Sequence, residues 1–227
     1  AQGLAASGPI PEGTVVSTNP VDAIGNNQYV KIPVLAGNTR DEGTLFPTFL
    51  TLVSGIPGSA RIVTDAQLFA NHFNYQPEAP AQTRVEQWIA PGYLPVNAPV
   101  TGFTARAEQF NRIFFLASRD NILNALKAQQ PDVWYYRFDW DEQPTPWNDI
   151  YGASHLFDLP FVFGNFGPSL MANIMNTTAN KPGRLELSDA MMRSVGAFAR
   201  RGDPNNEALG VRWPTWPSGL IFDATQT

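Results

Sequence analysis

The chain has 227 residues, 43% of them hydrophobic and 12% aromatic, which is material for one sizeable core or two small ones. Fifteen basic against 20 acidic residues give a net charge of -5 with no basic run, so neither nucleic acid nor an acidic membrane surface is an expected partner. There is no cysteine, which removes disulfides, thiol nucleophiles and thiolate zinc sites, and His72 and His155 alone cannot make a three-histidine zinc site.

In chain order, Ala1 to Pro9 has neither a basic region nor a long apolar core and does not read as a signal peptide; it reads as a start cut into the middle of something longer. Ser7 to Asn27 is rich in Gly, Pro, Asn and Thr, and predicts surface loops with one brief strand at Thr14-Val15-Val16. Lys31 to Ala36, bounded by Asn26-Asn27 and Gly37-Asn38, predicts a central parallel strand apolar on both faces. Thr44 to Gly58 carries Leu45, Phe46, Phe49, Leu50 and Leu52 around Pro47, a broken helix starting just after Glu42. Thr64 to Phe73 is an amphipathic helix with Thr64 as N-cap, and Pro80 to Ala90 a short one. From Thr104 to Gln130 apolar residues recur at helical spacing that falters near Ser118-Arg119-Asp120, predicting one bent helix or two in succession.

Val133 to Trp140 is an aromatic, β-prone strand, and Gln143 to Asn148 a proline-rich loop. Ser188 is the expected cap of a helix with Met191, Met192, Val195, Phe198 and Ala199 on one face, stopped by Gly202 and Pro204. Leu220 to Asp223 is a closing strand. The longest apolar runs, such as Ile113 to Ala117, fall far short of the roughly 20 residues that span a bilayer, so no membrane span is expected. The alternation of strands and helices is that of an α/β layer protein. Three core strands are few for this length, and the chain reads as half of a larger domain.

Two places carry chemistry. Tyr151 to Gly164 sets His155 in a Gly- and Ser-lined turn that runs into an apolar segment, which holds an imidazole on a loop above packed structure. Far upstream the first strand ends in Asp41 and Glu42. A carboxylate on a strand end and a later histidine on a loop are two members of a hydrolase triad. The bland readings are a structural histidine at 155, a surface residue at His72, and a carboxylate at 42 that faces the positive end of the following helix. From position alone, Asp41 and Glu42 are interchangeable.

Ile32-Pro33-Val34-Leu35-Ala36-Gly37 running into Asp41-Glu42-Gly43, then Gly152-Ala153-Ser154-His155 followed by Leu159-Pro160-Phe161-Val162-Phe163-Gly164, resembles the type-B carboxylesterase and cholinesterase family of α/β hydrolases. Phe198 to Asn205 is similar to that family's penultimate helix and turn, Trp213-Pro214 to its tryptophan-proline pair, and Phe222-Asp223 to its closing strand. The resemblance implies the α/β-hydrolase fold, with residues 1–227 forming the carboxyl-terminal part of one domain and a mostly parallel sheet flanked by helices. It covers somewhat under half of a complete enzyme. The nucleophile motif G-x-S-x-G occurs nowhere in the sequence, and in the family it lies earlier in the chain.

By this resemblance His155 is the general base and Glu42 the acid that orients it. Asp41 is left to structural hydrogen bonding, and Asp158 falls where the family carries a buried supporting acid. Leu45 and Phe46 stand where relatives line the acyl and alcohol pockets, with Phe49 and Trp147 as further candidate walls. Choline-specific relatives hold the quaternary ammonium on an aromatic ring at the first of these positions. Leucine there points instead to neutral short-chain or aryl esters. Many relatives have glycine directly after the histidine, where this chain has Leu156. The implied partners are an ester substrate and an amino-terminal portion of the same enzyme carrying the serine; no metal or organic cofactor is implied. The rivals are a catalytically inactive, cholinesterase-like adhesion protein and a self-standing α/β binding domain. The scarcity of lysine, with abundant Asn, Thr and Pro, is compatible with a secreted or periplasmic location.

Overall fold

The computed structural model describes residues 13–49, 66, 69, 73, 78, 85–87, 89–100, 102–169 and 172–224. Among them are three strands, β1 (Val34–Thr39), β2 (Val133–Phe138) and β3 (Leu220–Phe222), all parallel and in the order β1-β2-β3. The register sets Val34 opposite Val133 and Thr39 opposite Phe138, then Tyr136 opposite Leu220 and Phe138 opposite Phe222.

The period-two alternation of β2 decides the layers. Trp134 and Phe138 face one core together with Ile150, Tyr151, Phe161, Leu187, Met191, Trp213 and Phe222. Val133 and Tyr135 face a smaller one with Leu123, Leu126 and Trp216. Helices are α1 (Pro20–Gly25), α2 (Phe46–Phe49), α3 (Phe103–Phe110), α4 (Ala117–Lys127), α5 (Trp147–Tyr151), α6 (Leu159–Phe163), α7 (Ala172–Met175) and α8 (Lys181–Arg201).

Several expectations need correction. The predicted strand at Lys31 to Ala36 begins at Val34, because Pro33 has no N–H to give the ladder, and it runs on to Thr39. Among the three described strands it lies at an edge and is only half buried, and β2 takes the central place. No strand forms at Thr14-Val15-Val16, where Gly13 N–H donates to Val16 O at 2.8 Å in a turn. The unpredicted α1 follows, with Pro20 in its first turn and Asn19 Oδ1 accepting from Asp22 N–H at 3.3 Å.

The irregularity in the long helical stretch is not at Ser118-Arg119-Asp120. It is a π-helical segment, Asn111–Leu116, that joins α3 to α4. The last long helix starts at Lys181, and Ser188 lies inside it, donating its hydroxyl to Phe161 O at 2.8 Å. Its inward stripe is Leu187, Ala190, Met191, Ser194 and Ala197, whereas Met192 and Ala199 face outward. Most of the expected helices at Thr44 to Gly58, Thr64 to Phe73 and Pro80 to Ala90, and His72 with them, lie outside the described residues.

Two close approaches explain conspicuous residues. Gly37 sits opposite Tyr136 in the register, and a side chain there would collide with the Tyr136 ring. Arg184, fully buried on α8, gives Nη2 to both carboxylate oxygens of Glu78 at 3.0 and 2.9 Å and Nη1 to Asn180 Oδ1 at 2.9 Å. A buried guanidinium needs such partners.

Candidate active site

The polypeptide leaves β1 at Thr39 and turns at once into a 3₁₀ helix, Glu42–Leu45, which folds the Glu42 side chain back onto the strand end. Its Oε1 accepts from Thr39 N–H at 2.8 Å and from Asn38 Nδ2 at 3.2 Å. The other oxygen, Oε2, meets Nδ1 of His155. Glu42 is 5% exposed. A carboxylate out of water persists only with such donors, and here all three converge on it.

A second set of bonds fixes the histidine loop against the same turn. Asp41 N–H donates to Ala153 O at 2.9 Å, and Ala153 N–H donates to Asp41 Oδ2 at 3.0 Å, so the two residues bracket one another. Thr44 Oγ1 lies 2.7 Å from Asp41 O and 2.8 Å from both Tyr151 O and Ser154 Oγ. Gly152 carries φ 54° here, and a Cβ on it would run into the Asp41 carboxylate. Arg40 braces the outside, with Nε on Asp41 at 2.9 Å and Nη2 on Asp141 at 2.7 Å. Burial pulls its guanidinium down, but the bonds to Asp141 and Asp41 outweigh this and hold it above its ordinary value.

The imidazole packs beside two rings that touch each other, Phe46 at 5.2 Å and Phe115 at 5.3 Å between centroids, and its side chain is 30% exposed. Asp158 accepts from the Tyr136 hydroxyl at 2.8 Å. Burial, and then the negative charge of Glu42, push the Asp158 carboxyl up, against the pull of the Tyr136 bond. Tyr136 is pushed up as well, by burial first and then by Asp158.

Of the residues singled out in the sequence, Glu42, His155 and Phe46 come together, with Asp158 and Asp41 around them. Leu45 is half buried against the main core. Trp147, at 3% exposure, packs in that core with its ring stacked 6.1 Å from Tyr151. The Phe49 side chain lies outside the described residues. Leu156 takes φ 70° with its side chain exposed. Sequence reasoning missed Phe115, which reads as ordinary helix core, and Asn38, Thr39 and Tyr136. The last had a signal: a large aromatic residue placed opposite a strand glycine.

An imidazole whose Nδ1 is held by a buried carboxylate keeps Nε2 free to take up and return a proton. Among the described residues no cluster of His, Asp and Glu could hold a metal ion. Two hollows, of about 680 and 580 Å³, lie along α8 and involve none of these residues.

A model of the carboxylesterase family matches residues 1–220. The para-nitrobenzyl esterase of Bacillus subtilis is 31% identical over 198 residues, covering 87% of this chain and 34% of the relative. Acetylcholinesterase 1 of Caenorhabditis elegans is 25% identical over 221 residues, with coverages of 92% and 34%. A crystal structure of a Geobacillus stearothermophilus carboxylesterase superposes with a TM-score of 0.63 at 24% identity, over 97% of this chain and 41% of that one. The fold is that of the α/β-hydrolase carboxylesterases. The chain spans about a third of the length of the curated relatives it matches.

Proposed function

The chain belongs to the carboxylesterase family, and from that premise we propose that residues 1–227 carry the acid, Glu42, and the base, His155, of a Ser-Glu-His triad in a serine carboxylesterase. The nucleophilic serine and the backbone oxyanion donors come from an amino-terminal portion of the same enzyme. The observation that carries this reading is the bond from the buried Glu42 carboxylate to Nδ1 of His155.

In the reaction the serine oxygen attacks the ester carbonyl as its proton passes to His155 Nε2. The tetrahedral intermediate collapses and the departing alkoxide takes that proton, leaving an acyl-serine. Water then attacks with the same base, the serine recovers its proton and the carboxylic acid leaves. Nδ1 keeps its proton throughout and donates it in a hydrogen bond to the Glu42 carboxylate, which fixes the tautomer and stabilises the transient imidazolium. No step calls for a metal or an organic cofactor. The pocket residues favour neutral short-chain or aryl esters, since Leu45 offers no ring to a quaternary ammonium while Phe46 supplies an apolar wall by the base.

The test uses the complete enzyme and a p-nitrophenyl ester. His155→Ala is expected to lower kcat by at least about 10³-fold with an unchanged unfolding midpoint. Activity near wild type would overturn the assignment, and a wild-type protein without ester hydrolysis would favour the adhesion reading. Residues 1–227 alone are expected to be inactive.

A further inference from the structure

The imidazole has neighbours that the proton-transfer argument leaves unused. Phe46 belongs to the same run of chain as Glu42, but Phe115 comes from the π segment between α3 and α4. Phe115 lies 5.9 Å from Phe110 between centroids, Phe110 lies 4.4 Å from Phe114, and the Phe115 and Phe110 rings lie against Phe46 at 5.6 and 4.7 Å. The segment is tied to the acid-bearing turn at its first residue, where Asn111 Nδ2 donates to Arg40 O at 3.0 Å. Phe115 is thus referenced to the strand end that holds Glu42.

Resting on the triad reading above, we propose that Phe115 is a positioning residue that holds the His155 ring and, through its π electrons, stabilises the imidazolium that forms when Nε2 takes up a proton. A cation over an aromatic ring, within about 6 Å of its centroid, is attracted by the ring quadrupole, and neutral imidazole feels this far less. The attraction therefore grows as the serine proton is transferred, and it lowers the barrier instead of merely tightening binding. Other groups act on the same imidazole. Glu42 bonds Nδ1, Asp158 lies close enough for their charges to interact, and Tyr136 on β2 bonds Asp158. On the outer side of the helical stretch that carries Phe115, Glu108 and Arg112 pair with each other. All of these persist when Phe115 is replaced, so the ring's contribution can be isolated.

The experiment compares wild type, Phe115→Leu and Phe115→Trp in the complete enzyme, with kcat, KM and the pH profile of kcat/KM measured on a neutral aryl ester. Leucine fills similar space without a quadrupole. It is expected to lower kcat about three- to tenfold, to leave KM within about twofold, and to move the acidic limb about 0.5 unit toward lower pH, because the neutral base is then favoured. Tryptophan is expected to restore both. An acidic limb that stays in place with leucine, or a loss of kcat that tryptophan does not repair, overturns the proposal. His155→Ala in the same series separates the two failures: activity surviving it sinks the triad reading, whereas its loss beside a silent Phe115→Leu removes only the role given to Phe115.

Discussion

The two sides of the sheet are held together by different forces. Beyond β1, the turn at 38–44 and the loop at 151–155 are joined mainly by hydrogen bonds. Beyond β2, toward β3 and α8, buried rings do the work: Phe161 packs against Phe138 at 4.9 Å, Trp140 at 5.0 Å and Phe166 at 5.1 Å, and Trp213 against Phe222 at 5.4 Å. A hydrogen bond exchanged against water nets only about 1 kcal/mol, but it fixes direction. A buried ring contributes more and fixes direction less. The β1 side is therefore built for geometry and the β3 side for stability, which makes the two separable by mutation.

The sharpest way to break this comparison is Glu42→Gln in the complete enzyme. The amide keeps an acceptor for Thr39 N–H but turns an N–H toward Nδ1 and so selects the wrong tautomer. The expected loss in kcat is about 10⁴-fold, roughly 5 kcal/mol in the barrier, with little change in the unfolding midpoint. A large fall in stability instead would show that the acid is mainly a structural member.

The converse change, Phe161→Ala, is expected to cost about 3 to 5 kcal/mol of stability in urea unfolding, while folded enzyme retains its KM. Leu156→Gly comes next, because an ordinary side chain at φ 70° is strained. Glycine there is expected to raise stability by about 1 kcal/mol without changing the pH profile. The smallest effect belongs to the turn after α8, where the backbone N–H of Asn205, and then its side-chain amide, hold the Asp203 carboxyl below its usual range. Its folded value lies under the unfolded one, so its stabilisation is complete above the unfolded value and is lost as pH falls through the folded one. The stability difference between wild type and Asp203→Asn should shrink on acidification, as urea midpoints at pH 6 and pH 3, chosen as round values, would show.

Much of this was legible in the residues, for physical reasons that differ from place to place. The three strands are short apolar runs between turn residues, and each appears within a few positions of where it was expected. Glu42 could be told from Asp41 only by resemblance; the geometry gives Asp41 backbone partners and Glu42 the imidazole. The π segment was invisible because its residues keep an apolar helical rhythm, and a tertiary bond from Asn111 accompanies the wider turn. The start of α8 was obscured by Gly183 and by Arg184, a charge whose burial depends on Glu78, more than a hundred residues upstream.

The bare position at Gly37 reaches further than the sheet. By yielding its space to the Tyr136 ring, it lets a phenol cross a neighbouring strand and cap Asp158. A methyl group there would push the phenol aside, and an acid already reluctant to ionise beside Glu42 would lose its donor. The electrical environment of the imidazole would then be reset from inside the strand, with acid and base both untouched.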